Sequence, residues 1–473
     1  MKVEQLFTGC LAEMAYYVES DGEAAIIDPL RETEPYVRMA EANGAEIKYI
    51  FLTHFHADFV SGQYDLAQKT GAKIIFGPNA TAEYDIYNGK DGEEFPLGKG
   101  KITLIHTPGH TMESSSYLIT DEDGNTPYVC TGDCLFIGDV GRPDLAVKQG
   151  ELTEKDLAGH LFDSLRNKIM KLPDDIIIYP NHGAGSACGK NMSSETFDTL
   201  GNQKKTNYAL RADMTKEEFI KEVTTGLKKP PQYFPNNVKM NKSINKSIDE
   251  VIHKGSTPLD AATFHEMSLQ KDILVVDTRS KESYTEEGTV PGAWFIGLDG
   301  SFAPWVGALI TDINQKIIFI AEDETRVNEI ATRFSRVGYD NTLGFLFGGI
   351  KNWIDHGYKV EKINSISGHE FAEKIKNGTL ENALDVRKES EYLSEHVVGV
   401  ENFPLDFINS NFAEIDPSKA YTLHCASGYR SLIAASIFKA NGVENVTDVR
   451  GGFNDIKETD APITDYVCPT TLL

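Results

Sequence analysis

Short apolar segments in the first 190 residues repeatedly end in loops that carry histidine or aspartate. Segments 24–27, 49–52, 73–76, 102–106, 128–130 and 176–179 are apolar or β-branched, a composition that predicts strands. Four of them closely precede candidate ligands, which are His54, His56, Asp58, His110, Asp133 and His182. The pattern constrains this region to an α/β fold whose polar side chains collect where strands end.

This set of side chains predicts a metal site. Neutral imidazole and carboxylate groups are ligands for zinc and iron, and four strand ends supply them here. A single residue such as His54 is more often an ordinary loop histidine, so the prediction rests on the whole set.

The length of 473 residues exceeds what one hydrophobic core usually organises, so several domains are expected. Residues 195–210 and 215–227 have helical patterns and are followed by polar and proline-bearing segments, 229–232 and 236–246. Such a composition buries little and predicts a linker. The predicted α/β domains are 1–254, 255–361 and 362–473.

The last two domains repeat one pattern. Segment 273–279 (ILVVDTR) is similar to 383–387 (ALDVR), and 348–350 (GGI) is similar to 451–453 (GGF). Between these landmarks lie the apolar segments 316–321 and 420–425, each followed by a helical stretch. An internal duplication of an α/β unit of roughly 100 residues explains the spacing.

The second repeat places 424–431 (HCASGYRS) between a strand and a helix. Free N–H groups and the dipole at a helix N-terminus stabilise a thiolate and an anionic sulfur bound to it. Arg430 adds positive charge beside Cys425. The first repeat has Ala321 at the corresponding turn, and alanine cannot form a persulfide.

A net charge of −25 without a basic tract disfavours nucleic acid and anionic membranes as partners. No apolar run reaches the roughly 18 residues of a membrane span, and the first ten residues do not resemble a secretory signal. We therefore expect a soluble, cytoplasmic protein with reduced thiols. The cysteines expected to be structural are Cys10, Cys130, Cys134 and Cys468. The oligomeric state is left open, and the sequence is compatible with a homo-oligomer.

Over about residues 1–190, the ligand set resembles that of the metallo-β-lactamase superfamily. The signature of that superfamily is HxHxDH followed by a distant His, Asp and His. The resemblance implies an αββα sandwich followed by the two repeated α/β domains. One position departs, because Phe59 stands where the family has a further metal-binding histidine. In dinuclear relatives such as glyoxalase II, that histidine joins the equivalents of Asp58 and His182 at a second metal. Since phenylalanine cannot ligate, the second metal is expected to be lost or weak.

The remaining ligands resemble those of persulfide dioxygenases, a branch of this superfamily that binds one Fe(II) through two histidines and one aspartate. The resemblance implies that His54, His110 and Asp133 hold one Fe(II) per chain, with zinc as the alternative metal. It leaves His56 and Asp58 as orienting groups around the ligands. Segments 138–144 (GDVGRPD) and 183–190 (GAGSACGK) also resemble this branch.

Two residues in these segments each have two interpretations. Arg142 offers a cationic fork to an anionic, sulfite-like group, or it forms a structural salt bridge with Asp139 or Asp144. Cys188 carries or resolves a persulfide near the metal, or it is a buried small thiol.

The loop around Cys425 resembles the CxxxxR active loop of rhodaneses, and segments 385–387 and 451–453 resemble other landmarks of that family. The resemblance implies a sulfurtransferase domain with Cys425 and Arg430 as catalytic residues. The domain before it then resembles an inactive rhodanese-homology domain.

The domain order resembles fusion proteins of a persulfide dioxygenase and a rhodanese. This implies oxidation of a low-molecular-weight thiol persulfide by O₂ to sulfite, coupled to sulfur transfer through Cys425 that gives thiosulfate and detoxifies sulfide. One alternative is a glyoxalase II-like zinc hydrolase of thioesters. Another is a protein that senses sulfide through Cys425 without turnover. The carrier thiol is left open, with glutathione and coenzyme A as candidates.

Overall fold

The computed structural model describes residues 1–468, which divide into two compact units. The first unit contains Met1–Ile248 together with Ser335–Gly338, and the second contains the rest of the described chain. Among the described residues, no helix is both long enough and apolar enough to cross a membrane.

Residues 1–248 form two sheets of six strands. The first sheet contains, in spatial order, β1 (Lys2–Thr8), β2 (Glu13–Ser20), β3 (Glu23–Ile27), β4 (Glu46–Phe51), β5 (Lys73–Phe76) and β6 (Tyr87–Asn88). The second contains β7 (Glu94–Leu97), β8 (Gly100–His106), β9 (Ser115–Thr120), β10 (Tyr128–Gly132), β11 (Ile177–Pro180) and β12 (Asp198–Thr199). Strands β3 to β6 are parallel, as are β10 and β11, and the other neighbours are antiparallel.

The helices of this unit are α1 (Glu34–Asn43), α2 (Gln63–Thr70), α3 (Glu154–Asn167), α4 (Leu200–Thr206), α5 (Lys216–Thr224) and α6 (Phe234–Lys242). In β2, Tyr16 and Val18 pack against the second sheet, whereas Tyr17 packs with α1 and α2. Successive strand side chains point to opposite faces, so one buried strand serves two apolar layers. On the far side, Leu161 of α3 and Phe219 of α5 pack on the second sheet. The αββα sandwich expected from the sequence is confirmed.

The stretch 229–246 is not the exposed linker that its composition predicts. It contains α6, in which Phe234, Asn237 and Asn241 are buried. Polar side chains are buried without a large penalty where they are hydrogen-bonded, and composition does not reveal those partners. The predicted helix over 195–210 was also wrong in its first part, because β12 precedes α4.

Residues 249–468 contain two sheets of five parallel strands. The first sheet contains β13 (Pro258–Leu259), β14 (Ile273–Asp277), β15 (Trp294–Phe295), β16 (Lys316–Ile320) and β17 (Thr342–Leu346). The second contains β18 (Asn364–Ile366), β19 (Ala383–Asp385), β20 (Glu401–Asn402), β21 (Tyr421–His424) and β22 (Val446–Val449). When the strands of each sheet are numbered along the chain, both have the spatial order 1-5-4-2-3. Identical topology is what the repeated sequence pattern predicts.

The helices around the first of these sheets are α7 (Ile248–Gly255), α8 (Ala261–Ser268), α9 (Lys281–Glu287), α10 (Phe302–Leu309), α11 (Val327–Arg336) and α12 (Gly349–Asp355). Those around the second are α13 (Gly368–Lys376), α14 (Glu389–Ser394), α15 (Ile408–Asn411), α16 (Tyr429–Ala440) and α17 (Gly452–Ile456). The repeated DTR and DVR motifs form the same buried ion pair in both copies. Arg279 contacts Asp277 at 2.8 Å, and Arg387 contacts Asp385 at 2.6 Å. The motif therefore marks a structural element shared by the two copies.

Candidate metal centre and sulfur-transfer loop

The loops after β4, β8 and β10 bring two histidines and an aspartate together. His54 Nε2 lies 3.8 Å from Asp133 Oδ2, and His110 Nε2 lies 3.5 Å from the same oxygen. Ligand atoms of the three residues all lie within 4.8 Å of one another, and all three side chains are buried. This grouping is the ligand set implied by the sequence resemblance.

Hydrogen bonds orient both imidazole rings toward Asp133. His110 Nδ1 donates to the carbonyl oxygen of Arg142 at 2.8 Å. Thr53 Oγ1 donates to Asp28 at 2.8 Å, so it accepts a hydrogen bond from His54 Nδ1 at 2.9 Å. Burial lowers the pKa of His54 well below its usual value, and nearby His56 and His110 lower it further. Both rings therefore direct an Nε2 lone pair at the cluster, as metal-binding histidines do.

Several buried polar atoms of this cluster have no hydrogen-bond partner within residues 1–468. They are both carboxylate oxygens of Asp133, Oδ1 of Asp58 and Nε2 of His182. Leaving such atoms unpaired costs roughly 1–3 kcal/mol each, and more for a charged group. A cation among them would satisfy these atoms and the two lone pairs, so the donor set fits a metal ion.

His182 and Asp58 extend the cluster on the other side of Asp133. His182 Nε2 lies 3.4 Å from Asp58 Oδ2 and 3.7 Å from Asp133 Oδ1. Ligand atoms of His56, Asp58 and His182 also lie within 4.8 Å of one another. However, His56 Nε2 is hydrogen-bonded to Asp28 at 3.0 Å. Asp28 thus holds His56 in place, and the buried Phe59 ring stacks on it at a centroid distance of 4.4 Å.

Helix α6 supports the ligand loop after β4. The side-chain amide of Asn241 donates to the carbonyl oxygens of His56 and Phe59, both at 2.8 Å. Its oxygen accepts from the N–H of Ser61 at 2.8 Å. Asn241 therefore satisfies three backbone groups of a loop that lies about 180 residues earlier in the chain. The sequence carried no signal for this contact.

The contacts of Arg142 favour its structural interpretation. Its guanidinium forms a bidentate pair with Asp144, at 2.7 and 2.8 Å, and donates to the carbonyl oxygens of Ala187 and Lys228. Asp139, the other candidate partner, instead accepts from the backbone N–H groups of Lys190 and Asn191. Arg142 therefore connects its own loop with the backbone at Ala187 and Lys228, near the candidate metal ligands.

Cys188 lies beside the cluster of candidate metal ligands, within 4.8 Å of ligand atoms of Asp133 and His182. Its thiol is buried, and this burial raises its pKa well above the usual value, with Asp58 and Asp133 adding to the rise.

The second candidate site is the loop between β21 and α16. Cys425 Sγ accepts a hydrogen bond from the N–H of Gly428 at 3.2 Å and one from the Ser431 hydroxyl at 3.5 Å. Both donors belong to the start of α16, as the strand-to-helix pattern predicts. Arg430 is bound by both carboxylate oxygens of Glu391, at 2.6 and 2.8 Å. Its charge therefore acts near Cys425 through a fixed ion pair and not as a free cation.

The first copy has no nucleophile at the matching turn. Ala321 follows β16 there, and Glu322 beside it accepts hydrogen bonds from Ser280 and Ser283. Arg326 is paired with Asp299 and Glu329.

Family models match most of the chain. The metallo-beta-lactamase superfamily model covers residues 8–182, and the rhodanese-like domain model matches twice, at 260–356 and 367–459. A crystal structure of a metallo-beta-lactamase from Staphylococcus aureus subsp. aureus COL is 30% identical with a TM-score of 0.63. The match covers 73% of this chain and 98% of that one. The chain belongs to the metallo-beta-lactamase superfamily.

Two other matches cover less of this chain. The cytoplasmic hydroxyacylglutathione hydrolase of Arabidopsis thaliana is 29% identical over 178 residues, which are 37% of this chain and 65% of the hydrolase. The crystal structure of ETHE1 from Myxococcus xanthus is 26% identical, covers 51% of this chain and all of its own, and has a TM-score of 0.42. The chain combines a metallo-beta-lactamase domain with two rhodanese-like domains, as the family models show.

Two residues that support these sites were missed by the sequence analysis. Asp28 follows strand β3 and accepts from Thr53 and His56, so the rule that found the other strand-end residues could have found it. Asp448, the third residue of β22, is buried, and burial raises its pKa to about 7. Its position inside an ordinary strand gave no such signal.

One tightly bound metal ion per chain is expected in protein purified without oxygen. His54, His110 and Asp133 form a complete three-ligand group, whereas Phe59 contributes no ligand beside Asp58 and His182. Phe59→His should raise the metal content toward two, because it adds an imidazole at the position that the family uses. Phe59→Leu is the control and should leave it at one. Elemental analysis that finds close to two ions in the unaltered protein would contradict this expectation.

Proposed function

We propose that the first unit is a persulfide dioxygenase and that the second rhodanese-like copy is a sulfurtransferase that uses the same thiol persulfides and the sulfite formed from them. The oxidation is RSSH + O₂ + H₂O → RSH + SO₃²⁻ + 2H⁺. The terminal sulfur is oxidised to sulfite, O₂ is reduced, and the carrier thiol is released unchanged.

The observation that carries the proposal is the three-ligand group of His54, His110 and Asp133, in which hydrogen bonds orient both imidazole rings and the buried carboxylate of Asp133 has no hydrogen-bond partner among the described residues. Two imidazoles and one carboxylate leave coordination positions open, and an Fe(II) ion held there would supply a place for O₂ and a sulfur substrate to meet. Phe59 supports one metal over two. A complete sulfur-transfer loop in the same chain supports a sulfur substrate.

The surrounding residues hold the three candidate ligands in position and shield them from bulk water. Thr53 and the Arg142 carbonyl oxygen hold the two imidazole rings in one tautomer each. Asp28 and Asn241 fix the backbone of the ligand loop. Burial of every ligand excludes bulk water, which would otherwise compete for the open positions.

Sulfur transfer is proposed to run through Cys425. Its thiolate attacks the terminal sulfur of a persulfide, Cys–S⁻ + RSSH → Cys–SS⁻ + RSH. Sulfite then takes that sulfur, Cys–SS⁻ + SO₃²⁻ → Cys–S⁻ + S₂O₃²⁻, so no further oxidant is needed. The N–H of Gly428 and the hydroxyl of Ser431 stabilise the anionic sulfur.

A thioester hydrolase is the second candidate. The 29% identity to a hydroxyacylglutathione hydrolase favours it, as do Asp58 and His182, which remain beside Asp133. That reaction needs a metal-activated water and no O₂. The loss of a second-metal ligand at Phe59 makes it the weaker candidate.

Oxygen consumption separates the two candidates. Iron-loaded protein is expected to consume O₂ when given glutathione persulfide or coenzyme A persulfide, with one O₂ used for each sulfur oxidised to sulfite and a second persulfide used when Cys425 converts that sulfite to thiosulfate. The better of the two substrates identifies the carrier thiol. Hydrolysis of a glutathione thioester by zinc-loaded protein, without oxygen uptake on either persulfide, would replace the proposal with the hydrolase.

A further inference from the structure

The first rhodanese-like copy contacts the sulfur-transfer loop of the second, and both copies lie in one compact unit. Tyr429, the residue before Arg430, donates from its hydroxyl to the carbonyl oxygen of Gly297 at 2.8 Å. Its ring meets Phe295 edge-on, with centroids 5.9 Å apart. Because Tyr429 begins α16, this contact fixes the start of the helix that faces Cys425.

Two glycines of the first copy make room for this ring. A Cβ atom on Gly300 would lie 2.2 Å from Cζ of Tyr429, and one on Gly297 would lie 3.2 Å from Cε2. Neither glycine has a positive φ, so backbone conformation does not require glycine at either position. We call Phe295, Gly297 and Gly300 the Tyr429 socket.

A lysine of the first copy also reaches the loop. Lys281, the first residue of α9, donates from Nζ to the carbonyl oxygen of Ser427 at 3.3 Å. The carboxylate of Glu282 lies 3.8 Å from the same nitrogen, and the lysine side chain is 43% exposed. Burial raises the pKa of Asp448, and the positive charges of Lys281 and Arg450 act against that rise. The Lys281 ammonium therefore lies near the loop that carries Cys425 and is accessible to solutes.

The turn that lacks a nucleophile holds this lysine in position. Glu322, directly after Ala321, accepts from the N–H of Ser280 at 2.9 Å and from the hydroxyl of Ser283 at 2.6 Å. Ser280 is the N-cap of α9. Glu322 therefore anchors the helical turn that carries Lys281.

We propose that the first rhodanese-like copy completes the sulfurtransferase site of the second: the Tyr429 socket positions the active loop, and Lys281 attracts the anionic sulfur donor or acceptor. The inference rests on the proposed role of Cys425. Thiosulfate and sulfite are dianions, and the nearby Arg430 is already paired with Glu391. Lys281 adds positive charge at this loop from the first copy.

Full-length Lys281→Ala should raise the KM for thiosulfate about fivefold to tenfold and leave kcat within about twofold, because the charge aids binding of the anion and not sulfur exchange. Lys281→Arg keeps the charge and should restore most of the affinity. The control is Lys351→Ala, which removes an exposed lysine paired with Asp355 in the same copy and should change neither constant.

Gly300→Ala should lower kcat for sulfur transfer at least about tenfold, because the added methyl group displaces Tyr429 and with it the loop. Oxygen uptake by the first unit is the internal control for a folded chain.

If Gly300→Ala does not fold, the KM of Lys281→Ala decides the inference. An unchanged KM in Lys281→Ala, with transfer abolished in Cys425→Ser, would overturn the inference alone. Retained transfer in Cys425→Ser would overturn the proposed function instead.

Discussion

Replacing His110 by alanine is expected to lower oxygen uptake with a thiol persulfide at least about a thousandfold, which corresponds to about 4 kcal/mol of transition-state stabilisation. Sulfur transfer from thiosulfate should remain unchanged. His110 Nε2 lies 3.5 Å from Asp133, and the Arg142 carbonyl oxygen fixes its ring. Without this imidazole, two ligands of the group remain, and the metal is lost or misplaced. Cys425 belongs to the other compact unit and keeps its contacts.

An oxygen electrode measures the first activity, and thiocyanate formation from thiosulfate and cyanide measures the second. His160→Ala is the matched control, since His160 is exposed on α3 and lies outside the ligand group. Metal content should fall in His110→Ala and stay constant in His160→Ala. Loss of both activities in a folded His110→Ala protein would mean that the two sites do not work independently.

Replacing Cys425 by serine should stop sulfur transfer to sulfite or cyanide, with a loss of at least about a thousandfold. Serine is a poor nucleophile here and cannot carry a sulfane sulfur. The product of persulfide oxidation should then change from thiosulfate to sulfite, because the ligands of the metal group are untouched. Ion chromatography of the sulfur oxyanions measures the change.

Cys188→Ser is the informative companion, because this thiol lies beside the metal ligands. Burial raises the pKa of this thiol, which disfavours the nucleophilic thiolate, so the variant should still form thiosulfate. Unchanged thiosulfate from Cys425→Ser would contradict the proposed route. Loss of thiosulfate in Cys188→Ser would then identify Cys188 as the sulfur carrier.

Local sequence patterns predicted much of the fold and most of the candidate ligands. Polar residues that closely follow apolar strands identified His54, His110, Asp133 and His182, because the ends of β4 in the first sheet and of β8, β10 and β11 in the second meet at one site. The same rule overlooked Asp28, which follows β3. Composition failed for α6, whose buried Asn241 is hydrogen-bonded to a loop elsewhere in the chain.

The sequence by itself determined the layered α/β architecture, the duplication, the ligand types and the nucleophilic loop, because each depends on residues close together in the chain. Only the tertiary structure decided which distant groups meet. Examples are the pairing of Asn241 with the ligand loop and the seating of Tyr429 against Gly300. These contacts arise when separate elements pack, and neither partner carries a local periodicity or turn preference that encodes the other.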